Sequence, residues 1–376
     1  MVNFPPLGLY LHLPWCIKKC PYCDFNVHKL TKKISQHQYI KHLLSDLDHD
    51  IPLISNRIIN TIYIGGGTPN LFSPKLIQTL IDNIRDRLPI SLDAEITMEA
   101  NPGKSDQNSF KDYQLAGINR ISIGVQSFSE KQLIQLGRKH SVEESRYAAR
   151  MAASVKLHSF NLDIMYGLPN QSLLEALNDL NEAINFGAPH ISWYQLTIEP
   201  NTLFFCKKPI LPDHDTIWKI YKYGKKILKS SGYYQYEISG YAKPGFQCQH
   251  NVNYWRFGDY IGIGCGAHGK LCQKDGKILR TVKTRNPYRY MKGEYLDKQY
   301  PISLSELPLE YFMNRFRLLK VVSKKEFRFF TRLKECQVRP ALNNAIRIGY
   351  ITESKNHWKL TKKGYLFLDS LLELLI

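Results

Sequence analysis

"TIYIGGGTP", residues 61–69, runs β-branched and aromatic residues directly into three consecutive glycines, a threonine and a proline. A strand weakens and ends at such a triplet, because glycine has no side chain to pack and tolerates backbone angles that other residues avoid. The same pattern recurs at intervals of roughly thirty residues. "GLYLHLP" (8–14), "AEITMEAN" (94–101), "RISIGVQS" (120–127), "FNLDIMYGLP" (160–169) and "HISWYQLTIEP" (190–200) are each β-rich and each lead into a polar or helical stretch. Between them, "SPKLIQTLIDNIRDRL" and "QSLLEALNDLNEAINFG" carry apolar residues at three- and four-residue spacing, the helical period. Ser73 before Pro74 is an N-cap followed by proline at the first helical position. "INFGAP" ends a helix with glycine and then proline.

Strands alternating with helices imply parallel βαβ units. The expected fold is α/β: a partial (β/α)6 TIM-like barrel, with an open doubly wound sheet as the alternative. Each strand runs into something chemical: a cysteine loop, the glycine triplet with Thr68, Glu99, Gln126, Asp163 and Thr197. In parallel barrels the C-terminal strand ends form the active face, so six strands aiming polar groups at one rim point to an enzyme-like cavity.

The composition sets limits. A chain of 376 residues, 43% hydrophobic and 12% aromatic, can bury a large core in one or two domains. It has no apolar run long enough to span a bilayer, and "MVNFPPLGLYLHLPWC" lacks the basic and apolar regions of a cleaved signal, so the expected location is cytoplasmic. The net charge of +18 raises the question of a polyanionic partner. Its lysines and arginines are dispersed, without a block of five and without an RNA-reading fingerprint, and nucleic acid is not the expected partner. Eight cysteines in such a chain read as metal or redox residues. Cys206, Cys248, Cys265, Cys272 and Cys336 are scattered and default to free thiols.

The other three lie in "CIKKCPYCDF" (16–25), spaced C-x3-C-x2-C. Structural zinc takes four ligands, and His12 or His28 could complete a Cys3His set. A cubane iron–sulfur cluster held by three thiolates would keep one iron open to a small molecule.

With Tyr22 before the last cysteine and "GGGTP" at 65–69, this spacing resembles the radical S-adenosylmethionine superfamily. The resemblance narrows to the branch of oxygen-independent coproporphyrinogen III oxidases and heme chaperones. It covers nearly the whole chain, from "LYLHLPWC" through "HNVNYW" and "GIGCGAHG" to the C-terminal region. It implies a [4Fe-4S] cluster on Cys16, Cys20 and Cys23, with S-adenosyl-L-methionine chelating the open iron. Tyr10, six residues before the first cysteine, matches a cofactor-contacting tyrosine. The implied contacts continue through Tyr22, Gly66, Gly67 and Thr68, then Glu99 in "MEANP", Gln126 in "GVQSF", Arg138 in "LGRKH" and Asp163 in "LDIMYGLP". Thr197 occupies the position on the sixth strand. The chemistry suits the cofactor: carboxylates accept from ribose hydroxyls or an α-amino group, arginine forks onto a carboxylate, and glutamine does both. Any one of these residues alone could be a helix cap or a surface pair partner.

Two features separate the branches. The oxidases carry a further cysteine two positions after the cluster motif, where this chain has Phe25, and they begin with a longer N-terminal segment. Both differences favour the heme-chaperone side, without coproporphyrinogen dehydrogenase activity; a radical oxidase of porphyrin metabolism is the competing reading. "HNVNYW" (250–255) matches the H-N-x-x-Y-W motif associated with heme binding, carried by His250, Asn251, Tyr254 and Trp255. His250 is then the candidate axial ligand, with Cys248 as a thiolate alternative and a hydrogen-bonded structural histidine as the plain one. The resemblance thus implies heme as a third cofactor and heme-accepting proteins, membrane-associated ones included, as partners.

The expected domains are 1–237 for the barrel core, 238–300 for the extension bearing the motif, and 301–376 for a C-terminal unit. In the last, "LPLEYFMNRFRLLKVV" is an amphipathic helix, and "ALNNAIRIGYITESKNHWKLTKKGYLFLDSLLELLI" reads as helix, hairpin, helix, a winged-helix-like α+β module. Such modules often bind DNA; here it is expected to cover the barrel mouth or a partner surface.

Overall fold

The structure, a computed structural model, describes residues 4–30, 35–103 and 109–375. Six parallel strands form its centre: β1 (Leu7–Leu13), β2 (Ile59–Gly66), β3 (Ile90–Ala100), β4 (Arg120–Gln126), β5 (Ser159–Tyr166) and β6 (His190–Gln195). They lie side by side in chain order, each paired in parallel with the next. All six strand segments expected from the sequence are present. The sixth stops at Gln195, so Thr197 lies two residues past its end and is exposed.

The flanking helices α1 (Gln36–Asp50), α2 (Pro74–Arg87), α3 (Val142–Ser154), α4 (Leu173–Asn185) and α5 (His214–Ser230) bury one apolar face each. Their starts follow from side-chain capping of free N–H groups. Ser73 accepts from Leu76 N–H, and Ser141 and Ser172 form reciprocal capping boxes with Glu144 and Glu175. Past α4 the chain turns at Gly187, whose φ of +71° explains the glycine in "INFGAP".

The sheet continues beyond β1 rather than closing. Strand β7 (Asp259–Ile263) pairs in parallel with β1, and β8 (His268–Cys272), β9 (Ile278–Lys283) and β10 (Leu296–Pro301) follow antiparallel. At the opposite edge Gly240–Ala242 pairs antiparallel with β6. The result is one mixed twelve-stranded sheet whose parallel part curves into an open, partial barrel. Buried ion pairs fasten the extra strands. Asp259 binds Arg57 at 2.8 Å and Lys270 at 3.0 Å, and Lys283 binds Asp46 at 2.6 Å and Asp50 at 2.8 Å. Removing one partner of such a pair strands a buried charge, which costs about 3–5 kcal/mol.

The short helix α6 (Gln249–Trp255) carries the H-N-x-x-Y-W residues and packs on β1, β2 and β7. Glu95 fixes its start, accepting from the N–H groups of Gln249 at 2.9 Å and His250 at 3.0 Å. His250 meets Gly8 and Thr61, near the N-terminal ends of β1 and β2. α6 therefore plugs the end of the barrel opposite the cysteine loop.

The C-terminal stretch has an apolar core of its own, around Tyr311, Phe312, Phe327, Leu342 and Trp358. Its helix Arg339–Ile348, the hairpin of Ile351–Glu353 with His357–Leu360, and the following helices give the winged-helix-like α+β arrangement. Phe257 and Ile278 from the preceding segment belong to this same core, so the two are packed together.

Candidate functional site

A cavity of about 430 Å³ opens at the C-terminal ends of the parallel strands. Cys16, Cys20 and Cys23 stand on its rim with Tyr22. Gly66, Gly67, Thr68 and Glu99 form one wall, and Gln126, Arg138, Asp163 and Thr197 continue round the other side. Tyr10 and His250 do not line it. Tyr10 lies behind the wall, its hydroxyl 2.9 Å from His12 Nδ1 and its ring stacked on Tyr63.

The cysteine loop is short and tightly turned, with Cys23 N–H donating to Cys20 O at 3.1 Å. Burial, followed by the neighbouring Cys23 and Cys20 thiolates, pushes the Cys16 thiol up to about 11, and burial also raises that of Cys23. Three thiolates here repel one another, and a cationic centre relieves that repulsion. Among the described residues no group of three or more His, Cys, Asp or Glu is placed to hold a single metal ion. Both ring nitrogens of His12 are engaged, with Tyr10 and with Asn26 O, and His28 Nε2 faces Arg285 O. A Cys3His zinc site would have to break those contacts. The all-thiol donor set, facing a cavity, fits an iron–sulfur cluster, in which each thiolate meets a different iron.

The glycine triplet is also constrained by packing. A Cβ on Gly67 would lie 2.3 Å from Trp15 O, and one on Gly66 would lie 2.7 Å from the His12 ring, with φ at +113°. Two of its N–H groups, and that of Thr68, are also taken. Gly67 donates to Leu13 O, Thr68 to Trp15 O, and Gly66 to Glu99 Oε2 at 3.0 Å. The glycines seat the cysteine loop against the first strand, leaving carbonyl oxygens rather than N–H groups for any ligand.

The electrostatics of the walls are uneven. Glu99 accepts from Tyr63 at 2.9 Å as well as from Gly66, yet burial and then the nearby Asp163 charge lift it to about 7. Burial raises Asp163 too, against the hydrogen bonds it accepts from Asn161 and Ser122. Two carboxylates reluctant to ionise side by side are complementary to a cation. Arg138 donates to Asn101 Oδ1 at 2.6 Å and Gly124 O at 2.7 Å, with Nη1 3.7 Å from the Cys20 sulfur. Gln126 has a φ of +70° at a register break in β4, uncommon for a residue with a side chain, and accepts from Tyr194 at 2.6 Å.

The cavity also holds residues that reading strand ends alone misses: Tyr63, Asn101, Arg120, Ser122, Asn161, Tyr194 and Asn251. Most carry a legible signal. Ser122, Gly124 and Gln126, then Asn161 and Asp163, then Ser192 and Tyr194 alternate along their strands, marking the inward face by the period of two.

Fold and site together define a radical S-adenosylmethionine domain, and the chain matches the radical SAM superfamily over residues 10–183 and the HemN C-terminal domain over 302–367. It is 57% identical to the heme chaperone HemW of Escherichia coli over 376 residues, covering all of both chains. It is 50% identical to the HemW of Haemophilus influenzae over 380 residues, covering 100% of this chain and 99% of that one. The chain belongs to the HemW family. The solved structure of the E. coli coproporphyrinogen III oxidase HemN, a radical SAM enzyme, superposes with a TM-score of 0.83 at 20% identity, over 99% of this chain and 90% of that one, and so shares the fold. No helix among the described residues is long and apolar enough to cross a membrane.

Proposed function

We propose that the chain is a cytoplasmic heme chaperone that holds a [4Fe-4S] cluster on Cys16, Cys20 and Cys23, binds S-adenosyl-L-methionine in the adjoining cavity, and delivers heme to acceptor proteins, some at a membrane. The observation that carries the cofactor part is the pairing of three rim thiols with the half-buried carboxylates Glu99 and Asp163 in one cavity. S-adenosylmethionine brings a sulfonium and an ammonium, the charges those carboxylates suit. When bound, a cluster of this kind supplies the electron for reductive cleavage of S-adenosylmethionine.

The chain's own residues then have separate tasks. Arg138, fixed by Asn101 and Gly124, presents a guanidinium beside Cys20 that can meet a carboxylate. Glu99 and Asp163 accept from amino or hydroxyl donors. Gln126 is held by Tyr194 with its amide N–H₂ group left to donate. Thr68 accepts from Asn101 at 2.8 Å and braces the wall behind Arg138. Tyr22 packs on Phe204 and closes the rim, while Tyr10 supports Tyr63 from behind.

The heme part rests on family membership and on the H-N-x-x-Y-W residues of α6. His250 is 1% exposed, its Nδ1 is 2.8 Å from Thr61 Oγ1, and its Nε2 has no partner. Axial ligation therefore requires α6 to swing away from Glu95. In the division into 1–237, 238–300 and 301–376 that goes with this reading, the middle segment carries α6 and contributes residues to both apolar cores. Phe25, 57% exposed where the oxidases have a cysteine, argues against porphyrinogen oxidation.

The test is anaerobic reconstitution followed by heme titration and, in parallel, incubation with coproporphyrinogen III. Stoichiometric heme uptake without decarboxylated product is expected. Turnover of the porphyrinogen would replace the chaperone reading with the oxidase one.

A further inference from the structure

Arg120 is the first residue of β4, six positions below Gln126 on the same inward face, and so about 20 Å deeper along the strand. It is 2% exposed and lines the cavity floor. None of its guanidinium nitrogens has a hydrogen-bond or ion-pair partner among the described residues, and Nε is fully buried. Glu95, the carboxylate whose charge it feels, is committed to α6 through Gln249 N–H, His250 N–H and the Cys248 thiol. A buried Nε–H without an acceptor is costly inside a protein. Asn251, on α6, faces the same floor with a side-chain amide that no described residue engages.

We propose that Arg120 and Asn251 form a second binding site, distinct from the cysteine rim, for the carboxylate of a small aliphatic acid. A planar carboxylate satisfies the arginine fork with two parallel hydrogen bonds and leaves an oxygen lone pair for the asparagine amide. Charge decides against phosphate, because Glu99 and Asp163 already place two acids in the same cavity and a dianion adds to their repulsion. Size decides against a macrocycle, since about 430 Å³ is near the lower limit for ligand pockets and is shared with the rim. The site goes beyond the proposed chaperone function and depends on neither cluster nor heme.

The experiment is calorimetric titration of the full-length reconstituted protein with sodium propionate at constant ionic strength, with propionamide as the neutral isostere and phosphate as the competing anion. Saturable binding of propionate, at least tenfold tighter than propionamide or phosphate, is expected. Arg120→Met should weaken it at least tenfold, and Arg120→Lys less. Should Arg120→Met fail to fold, Asn251→Leu decides, with an expected loss of threefold or more. No saturable binding, equal binding of propionamide, tighter binding of phosphate, or unchanged affinity in the folded variants would each overturn the site. Heme uptake is measured separately on the wild type, so a failure here leaves the chaperone reading standing, and the reverse holds too.

Discussion

Tyr63 donates its phenolic proton to Glu99 Oε1 at 2.9 Å while its ring stacks on His250 with centroids 5.2 Å apart. The carboxylate on the cavity wall and the helix that plugs the barrel are thereby mechanically joined through one side chain. Tyr63→Phe keeps the stack and removes the donor. One hydrogen bond to a charged group contributes about 1.5–3 kcal/mol, so the affinity for S-adenosylmethionine at neutral pH should fall roughly tenfold with the fold intact. Calorimetry on reconstituted protein measures it, and an unchanged affinity would remove Glu99 from the cofactor contacts.

Glu99 also makes the cofactor-free protein sensitive to pH. Its carboxyl rises from 4.5 to about 7, burial first and the Asp163 charge second. Between those values the folded chain holds a proton that the unfolded chain has lost, so stability falls as pH rises from about 4.5 through about 7. Glu99→Gln should flatten that slope and stabilise the protein at pH 8 by about 1–2 kcal/mol, discounted for the carboxyl's view of solvent through the cavity. Binding of a cation should follow the opposite trend in the wild type, strengthening as Glu99 ionises. Denaturant melts at pH 5 and pH 8 for both proteins decide the matter, and parallel slopes would place the raised group elsewhere.

The cluster assignment separates three cysteines from the other five. Alanine at Cys16, Cys20 or Cys23 should abolish labile sulfide after anaerobic reconstitution. Alanine at exposed Cys206 or Cys336 should leave iron and sulfide unchanged. Stoichiometric zinc without sulfide in the wild type would refute the assignment.

The fold was legible because each barrel strand combines β-prone residues with a polar or glycine-bearing end, and three of the intervening helices signal their own starts through Ser73, Ser141 and Ser172. What the strand ends could not reveal was depth. Arg120 opens "RISIGVQS" and looks like a strand-leading surface arginine, yet the period of two carries it to the cavity floor. Gly67 reads as a ligand-approach glycine and lines the cavity, but that Trp15, some fifty residues earlier, also leaves no room for a side chain there was not legible, because adjacency between strands is a tertiary fact. The burial of α6 was hidden for the same reason, because Glu95, its capping carboxylate, lies far back in the sequence on β3. Gly67→Ala tests the packing account directly. With its Cβ 2.3 Å from a backbone oxygen, it should cost about 3 kcal/mol or more and impair cluster retention, whereas a glycine kept for ligand approach alone would leave stability unchanged.

The heme assignment makes a demand on α6 that can be measured. His250 sits behind Tyr63, 1% exposed, and burial followed by the Arg120 charge depresses its imidazole to about 3, so it is neutral and its free Nε2 is chemically able to bind iron. No porphyrin can reach that nitrogen while Gln249 and His250 donate to Glu95. Heme loading through His250 must therefore release those two N–H groups, and their hydrogen exchange should accelerate in the heme-bound protein relative to the heme-free one. Trp255 should be disturbed as well, since Arg317 lies 4.3 Å over its ring and pins the end of the helix to the C-terminal unit. His250→Ala should shift the Soret band and weaken heme uptake, and should also destabilise the heme-free protein by about 2–4 kcal/mol through the cavity left behind Tyr63. A histidine that only plugs the barrel predicts the loss of stability alone. Slow exchange at Gln249 and His250 with heme bound, together with an unaltered Soret band in folded His250→Ala, would make it a plug and move the axial bond to another side chain.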